Sequence, residues 1–180
     1  MSSTALPGDP PPDSETARMI RVDHAGEYGA TRIYAGQLAV LGKGNKGDVL
    51  RQMENQERAH LAAFDDLITT RRVRPTALLP LWHIAGFALG AATAALGTRA
   101  AMACTVAVEE AIDEHYTAQL AALEDREPDL SRTIARFRAE ELEHRDIGLE
   151  NEAERAPGYR LMTATIKAGC RMAIRISERI

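Results

Sequence analysis

The chain has 180 residues, 45% hydrophobic and only 4% aromatic, with 22 basic against 26 acidic residues and a formal net charge of −4. That length and apolar content are enough to bury a core without staples, and they exclude a largely disordered chain. The acidic balance excludes a general nucleic-acid footprint. Cys104 and Cys170, 66 residues apart, fit neither a disulfide framework nor a CxxC metal site, so a reducing compartment is the default.

Residues 1–13 are rich in Pro, Gly and Ser and lack the basic flank and apolar core of a signal peptide, so a disordered tail is expected. Asp13 or Ser14 caps a first helix over 14–41, which carries His24, Glu27, Tyr34 and Gln37. The cluster LGKGNKG (41–47) breaks it before a second helix over 47–72 with Glu57-x-x-His60. A third helix follows Pro75 over 76–96. Residues 77–98 contain no charge and one His, which raises membrane spanning, but Pro80 and three glycines argue for an interfacial or substrate-facing helix. Thr98 caps a fourth helix over 98–125, with Glu109, Tyr116 and Gln119. A fifth, opened by Pro128, covers 128–155 and carries Glu141-x-x-His144; a sixth, opened by Pro157, covers 157–178. No period-two run is long enough for a strand, so the fold class is all-α, one domain over 14–180.

The two halves, about 14–96 and 98–180, repeat one another. Glu27, Tyr34, Gln37 and Leu38 match Glu109, Tyr116, Gln119 and Leu120 at an offset of 82, and Glu57-x-x-His60 matches Glu141-x-x-His144 at 84. Each half is thus a helix with a lone Glu, a helix with Glu-x-x-His, and a mostly apolar helix. On a helix, residues three apart share a face, so Glu-x-x-His aims a carboxylate and an imidazole at one point. With 16 Glu and 5 His, chance gives roughly 0.4 such pairs. Two pairs in repeat register, each with its partner Glu, form the donor set of two-metal carboxylate bundles. Hard carboxylates bridge and neutralise two cations, while one imidazole per metal leaves positions open for oxygen.

The repeat also selects Glu109 over Glu110 and Glu141 over Glu140, leaving Glu54, Glu110, Glu140 and Glu143 outside the ligand set. His24, three before Glu27, falls near the site. His115 is either a hydrogen-bond donor behind the ligands or a satisfied core histidine, and the hydroxyls of Tyr34 and Tyr116 need partners. Arg171, Arg175 and Arg179 form a basic stripe on the sixth helix. Either it is a solvated face or it meets something anionic: a phosphate-bearing cofactor, lipid head groups, or acids of a partner.

The strings RVDHAGEYGATRIYAGQ (21–37), QERAHL (56–61), CTVAVEEAIDEHY (104–116), FRAEELEHRDIGL (137–149) and AGCRMAIRISERI (168–180) resemble the demethoxyubiquinone hydroxylase family. The similarity runs from about residue 18 to the C-terminus. It implies a ferritin-like four-helix bundle built from the duplicated unit, with the two apolar helices added. It implies a di-iron centre on Glu27, Glu57, His60, Glu109, Glu141 and His144, the set the repeat selects. It also implies hydroxylation of 5-demethoxyubiquinol, a polyprenyl benzoquinol, with O2 in ubiquinone synthesis, NADH as reductant, a membrane surface and a lipid-binding accessory protein as partners. No Gly-rich dinucleotide fingerprint is present, so Arg18, Arg171, Arg175 and Arg179 are the plausible pyrophosphate anchors. The tail does not look like a mitochondrial targeting segment, so the expected location is the cytoplasmic face of a bacterial inner membrane. The competing reading is a ferritin- or rubrerythrin-like ferroxidase, which leaves the apolar third helix and the arginine stripe unexplained.

Overall fold

A computed structural model describes residues 14–43, 45–123 and 126–180. The expected tail with its Asp13 cap, the Ser14 side chain, Gly44 in the first loop and the last two residues of the expected fourth helix lie outside what is described. Among the described residues there are six α-helices and no strand: α1 Ser14–Leu41, α2 Asn45–Thr70, α3 Leu79–Ala95, α4 Thr98–Leu123, α5 Pro128–Glu150 and α6 Tyr159–Ser177.

α1 packs against α2 and α3, and α4 packs in the same way against α5 and α6. The duplicated sequence therefore folds into a duplicated arrangement. α1, α2, α4 and α5 make the bundle, and the apolar α3 and α6 lie outside α1 and α4. Having neighbours on several sides, α4 buries Ala100 to Glu109 without a break, and its many alanines let the surrounding helices close in. Two apolar clusters plug the bundle at either end. One includes Ile20, Phe64, Leu123, Ile134 and Phe137; the other includes Leu50, Met53, Met102 and Val106. A third, with Ile33, Cys104, Ala107, Val108 and Ile166, fills the seam between the bundle and the outer helices.

Several helix boundaries differ from the sequence reading: α2 runs Asn45–Thr70 instead of 47–72, and three others move for reasons the packing shows. α3 starts at Leu79 instead of 76, because the segment before it is engaged elsewhere: the Ala77 N–H donates to the Ile180 carbonyl at 3.2 Å, and the Leu78 N–H to Thr76 Oγ1 at 3.3 Å. Pro80 then takes the first turn, where its missing N–H costs nothing. α5 ends at Glu150 instead of 155: Glu152 turns left-handed (φ 62°), and Ala153–Arg155 form a 3-10 turn that buries Ala153 in the core. α6 consequently opens at Tyr159, after a left-handed Gly158 (φ 70°), instead of at Pro157.

The α1–α3 seam depends on glycine. A Cβ on Gly36 would sit 2.2 Å from the Phe87 carbonyl oxygen, and one on Gly90 would sit 1.9 Å from that of Ile33. The two backbones touch, and no side chain fits between them. Gly90→Val should therefore cost about 2 kcal/mol by forced separation of α3 from α1, read as a lower midpoint in urea. Gly169→Ala, which meets nothing within 4 Å, should leave that midpoint unchanged or slightly raised.

Candidate metal centre

Midway between the two apolar plugs, each bundle helix turns polar side chains inward. α1 contributes Glu27, α2 Glu57 and His60, α4 Glu109, and α5 Glu141 and His144. All six are at most 1% exposed. Their donor atoms form two groups, each within 4.8 Å: Glu27, Glu57, His60 and Glu141, and Glu57, Glu109, Glu141 and His144. Glu57 and Glu141 belong to both. The structure thus brings the six sequence-selected residues into one pocket as two donor groups that could each hold a cation, with Glu57 and Glu141 common to both.

The imidazoles face the pocket through Nδ1. His60 Nδ1 lies 3.1 Å from Glu141 and 3.5 Å from Glu27, and His144 Nδ1 lies 3.0 Å from Glu57 and 3.2 Å from Glu141. Each Nε2 points outward to a fixed partner, Glu140 Oε2 at 2.5 Å for His60 and Gln56 Oε1 at 3.0 Å for His144. Such outer partners fix the tautomer and ring plane of a metal-ligating histidine. The tyrosines act alike on the carboxylates: Tyr34 Oη donates to Glu109 at 2.9 Å, and Tyr116 Oη donates to Glu27. Each tyrosine serves the glutamate of the other half.

Burial pushes the Glu27 carboxyl up, and pushes those of Glu57 and Glu109 well above the ordinary range, with the Glu141 charge adding to the rise. Burial also opposes ionisation of Glu141, but the adjoining His144 and His60 imidazoles override it and hold that carboxyl down at about 2. Against burial, the Glu141 and Glu27 carboxyls beside it push the His60 imidazole up to about 12. Three of the four carboxyls thus hold their protons more tightly than usual, protons that cations would displace. Glu27 Oε2, both Glu57 oxygens, Glu109 Oε2, Glu141 Oε2 and His144 Nδ1 have no hydrogen-bond partner among the described residues. Buried polar atoms converging without partners are what a pair of cations would satisfy, and the mixed carboxylate–imidazole set suits first-row metals.

The other expected residues take different places. His24 turns to Asp65 (2.9 Å) and stays out of the pocket. His115 bonds the buried Asp23 at 3.1 Å, whose Oδ1 also accepts from Gln119 at 2.7 Å. Burial raises the Asp23 carboxyl, opposed by the His115 hydrogen bond. Glu110 pairs with Lys167 at 2.6 Å, so of the adjacent pair only Glu109 points inward. Arg171 is engaged by Glu114 through two nitrogens, which relieves the like-charge stripe on α6 and takes this side chain out of the set of free anchors. Arg18 lines a cavity of about 180 Å³ with Glu15, His115, Gln119 and Glu178, whereas Arg175 and Arg179 are exposed and do not line it. Gln56 and Asp23 escaped the sequence reading. The signal for Gln56 was available, since it stands at the position in the repeat that Glu140 fills.

The fold and this cluster together define a class: a helical carboxylate bundle with the donor set for two bridged cations. Within it, residues 14–177 match the family described as ubiquinone biosynthesis protein COQ7, and the chain belongs to that family. It is 59% identical over 177 residues to the 3-demethoxyubiquinol 3-hydroxylase of Rhodospirillum rubrum, covering 97% of this chain and 83% of the relative. It is 57% identical over 167 residues to the human protein named NADPH-dependent 3-demethoxyubiquinone 3-hydroxylase, mitochondrial, covering 91% and 77%. To the yeast 5-demethoxyubiquinone hydroxylase it is 42% identical over 180 residues, covering 91% and 77%.

The shared carboxylates make a stoichiometric prediction. Glu57→Gln or Glu141→Gln should abolish binding of both Mn(II) equivalents, whereas Glu27→Gln or Glu109→Gln should lose one. Elemental analysis after gel filtration reads the difference. Equal losses in all four variants would mean that no carboxylate bridges.

Proposed function

We propose that this chain hydroxylates the ring of a demethoxyubiquinol, a polyprenyl benzoquinol, at a di-iron centre held by Glu27, Glu57, His60, Glu109, Glu141 and His144. The observation that carries the reading is the sealed six-donor pocket with its inward atoms unpartnered, in a chain whose relatives bear hydroxylase names. When bound, a di-iron pair supplies the activation of O2 that puts one oxygen atom on the ring and releases the other as water. The chain's own part is to hold that chemistry in place. Glu57 and Glu141 set the spacing of the two positions. Tyr34 and Tyr116 fix the rotamers of Glu109 and Glu27, while Glu140 and Gln56 fix the imidazoles. The apolar plugs at either end keep water from the pocket.

The electrons come from a reduced nicotinamide nucleotide. The human relative's name specifies NADPH where the resemblance alone implied NADH. Arg18, Arg175 and Arg179 are the anchors available for its phosphates, since Arg171 is held by Glu114. Glu57→Ala and Glu141→Ala should lower formation of hydroxylated quinone from demethoxyubiquinol, O2 and NADPH by at least about a hundredfold, followed by chromatography of the quinones. Retained hydroxylation would remove the di-iron assignment. Iron oxidation without any quinone product in the parent chain would favour a ferroxidase.

The substrate's apolar tail calls for an apolar approach. Among the described residues no helix is long and apolar enough to cross a membrane, yet α3, Leu96 at its C-terminal end and α6 leave Leu81, Ile84, Leu96, Leu161 and Met172 exposed to solvent. The two helices are tied at one end by Trp82 Nε1 donating to Ser177 Oγ at 3.2 Å. Their outer faces, flanked by Arg160, Arg175 and Arg179, suit a peripheral seat on an anionic bilayer such as the cytoplasmic face of a bacterial inner membrane, with the cluster around Val108 and Ile166 leading inward. A lipid-binding accessory protein is a further partner for the same apolar faces. Ile84→Glu combined with Leu161→Glu should release the chain from anionic vesicles in a flotation assay without altering its metal content. Unchanged flotation would return these faces to another role.

A further inference from the structure

The pocket is assembled from two copies of one unit, and its ligands obey that symmetry. Glu27 answers Glu109, Glu57 answers Glu141, and His60 answers His144, with Tyr116 and Tyr34 in equivalent places behind the first pair. The groups behind the two histidines break the symmetry. Gln56 and Glu140 stand one residue before Glu57 and Glu141, at the same offset of 84. Each crosses the bundle to the histidine of the other half, so His60 meets a carboxylate and His144 an uncharged amide oxygen.

We propose that this one difference makes the two cation positions unequal: the position of Glu27 and His60 holds a divalent metal more tightly than that of Glu109 and His144, and fills first. The inference rests on the two-metal reading of the pocket. Its physical basis is the bond behind each ring. An N–H donated to a carboxylate is charge-assisted, about twice as strong as one to a neutral acceptor, and it leaves the opposite ring nitrogen a better donor. The separations agree, at 2.5 Å for His60 to Glu140 and 3.0 Å for His144 to Gln56.

A second departure falls on the same side. Asp23, one helical turn before Glu27, places an acidic group where the other half has Thr105, one turn before Glu109. Asp23 is fixed by Gln119 and His115, while the buried Thr105 Oγ1 has no partner among the described residues. Both departures put the acidic member on the Glu27–His60 side. Unequal positions let one metal stay resident while the other keeps weaker ligation and more readily exchanges a ligand for an incoming molecule.

The test is a Mn(II) titration of the metal-free full-length chain, with free Mn(II) followed by electron paramagnetic resonance. The parent chain should bind two equivalents in two steps, the first about tenfold tighter or more. Glu140→Gln, which places an uncharged amide behind both histidines, should weaken the first step about tenfold and leave the second in place. Gln56→Glu should tighten the second step by a similar factor. A purely structural role for either residue would weaken both steps together. That result, or two steps untouched by both variants, would overturn the proposal. Failure of the parent chain to bind any Mn(II) would instead overturn the two-metal reading itself.

Discussion

Four carboxylates and two imidazoles closed off from water set the terms for this protein. Two carboxylate charges about 5 Å apart repel by roughly 3 kcal/mol at the effective dielectric of a protein. Burial and that repulsion raise the Glu27, Glu57 and Glu109 carboxyls, so without cations the pocket sheds charge by keeping protons. The cluster persists because the two imidazoles and two tyrosine hydroxyls hold it and because bound cations would discharge it. The apolar plugs above and below seal the pocket, and the helix register brings the donors to one level.

The duplicated unit solves the geometric problem economically. One helix with a Glu, one with Glu-x-x-His and one apolar cover make half a pocket; a second copy turned to face it completes the set. The cross-bonding is reciprocal. Tyr34 reaches the glutamate of the second half and Tyr116 that of the first, while Gln56 and Glu140 each reach the opposing histidine. The halves are therefore joined through the outer partners of the ligands as well as through the ligands themselves. Distorting one half should disturb the donors of the other.

The outer helices follow from the same arrangement. α3 packs against α1 through Gly36 and Gly90 at backbone contact, and α6 is fastened to α4 by Lys167–Glu110 and Arg171–Glu114. Each uses one face for attachment and leaves apolar side chains on the other.

Much of this was legible in the residues alone. Helix periodicity, the repeat offset and the scarcity of histidine singled out the six pocket residues, because i, i+3 spacing on a helix converts directly into a shared direction. The lack of any long period-two run likewise settled the all-α class, and composition the apolar character of the third helix. What the sequence could not decide depended on contacts between distant segments. The start of α3 moved because Ala77 bonds the C-terminal carbonyl of Ile180, and α5 stopped early where Ala153 enters the core. His24 left the pocket for Asp65, and Arg171 left the set of free cations for Glu114. Gln56 and Glu140 acquired their meaning only when α2 and α5 faced one another across the pocket. Local spacing determined which side chains share a face; only the packing of one half on the other decided what each of them meets.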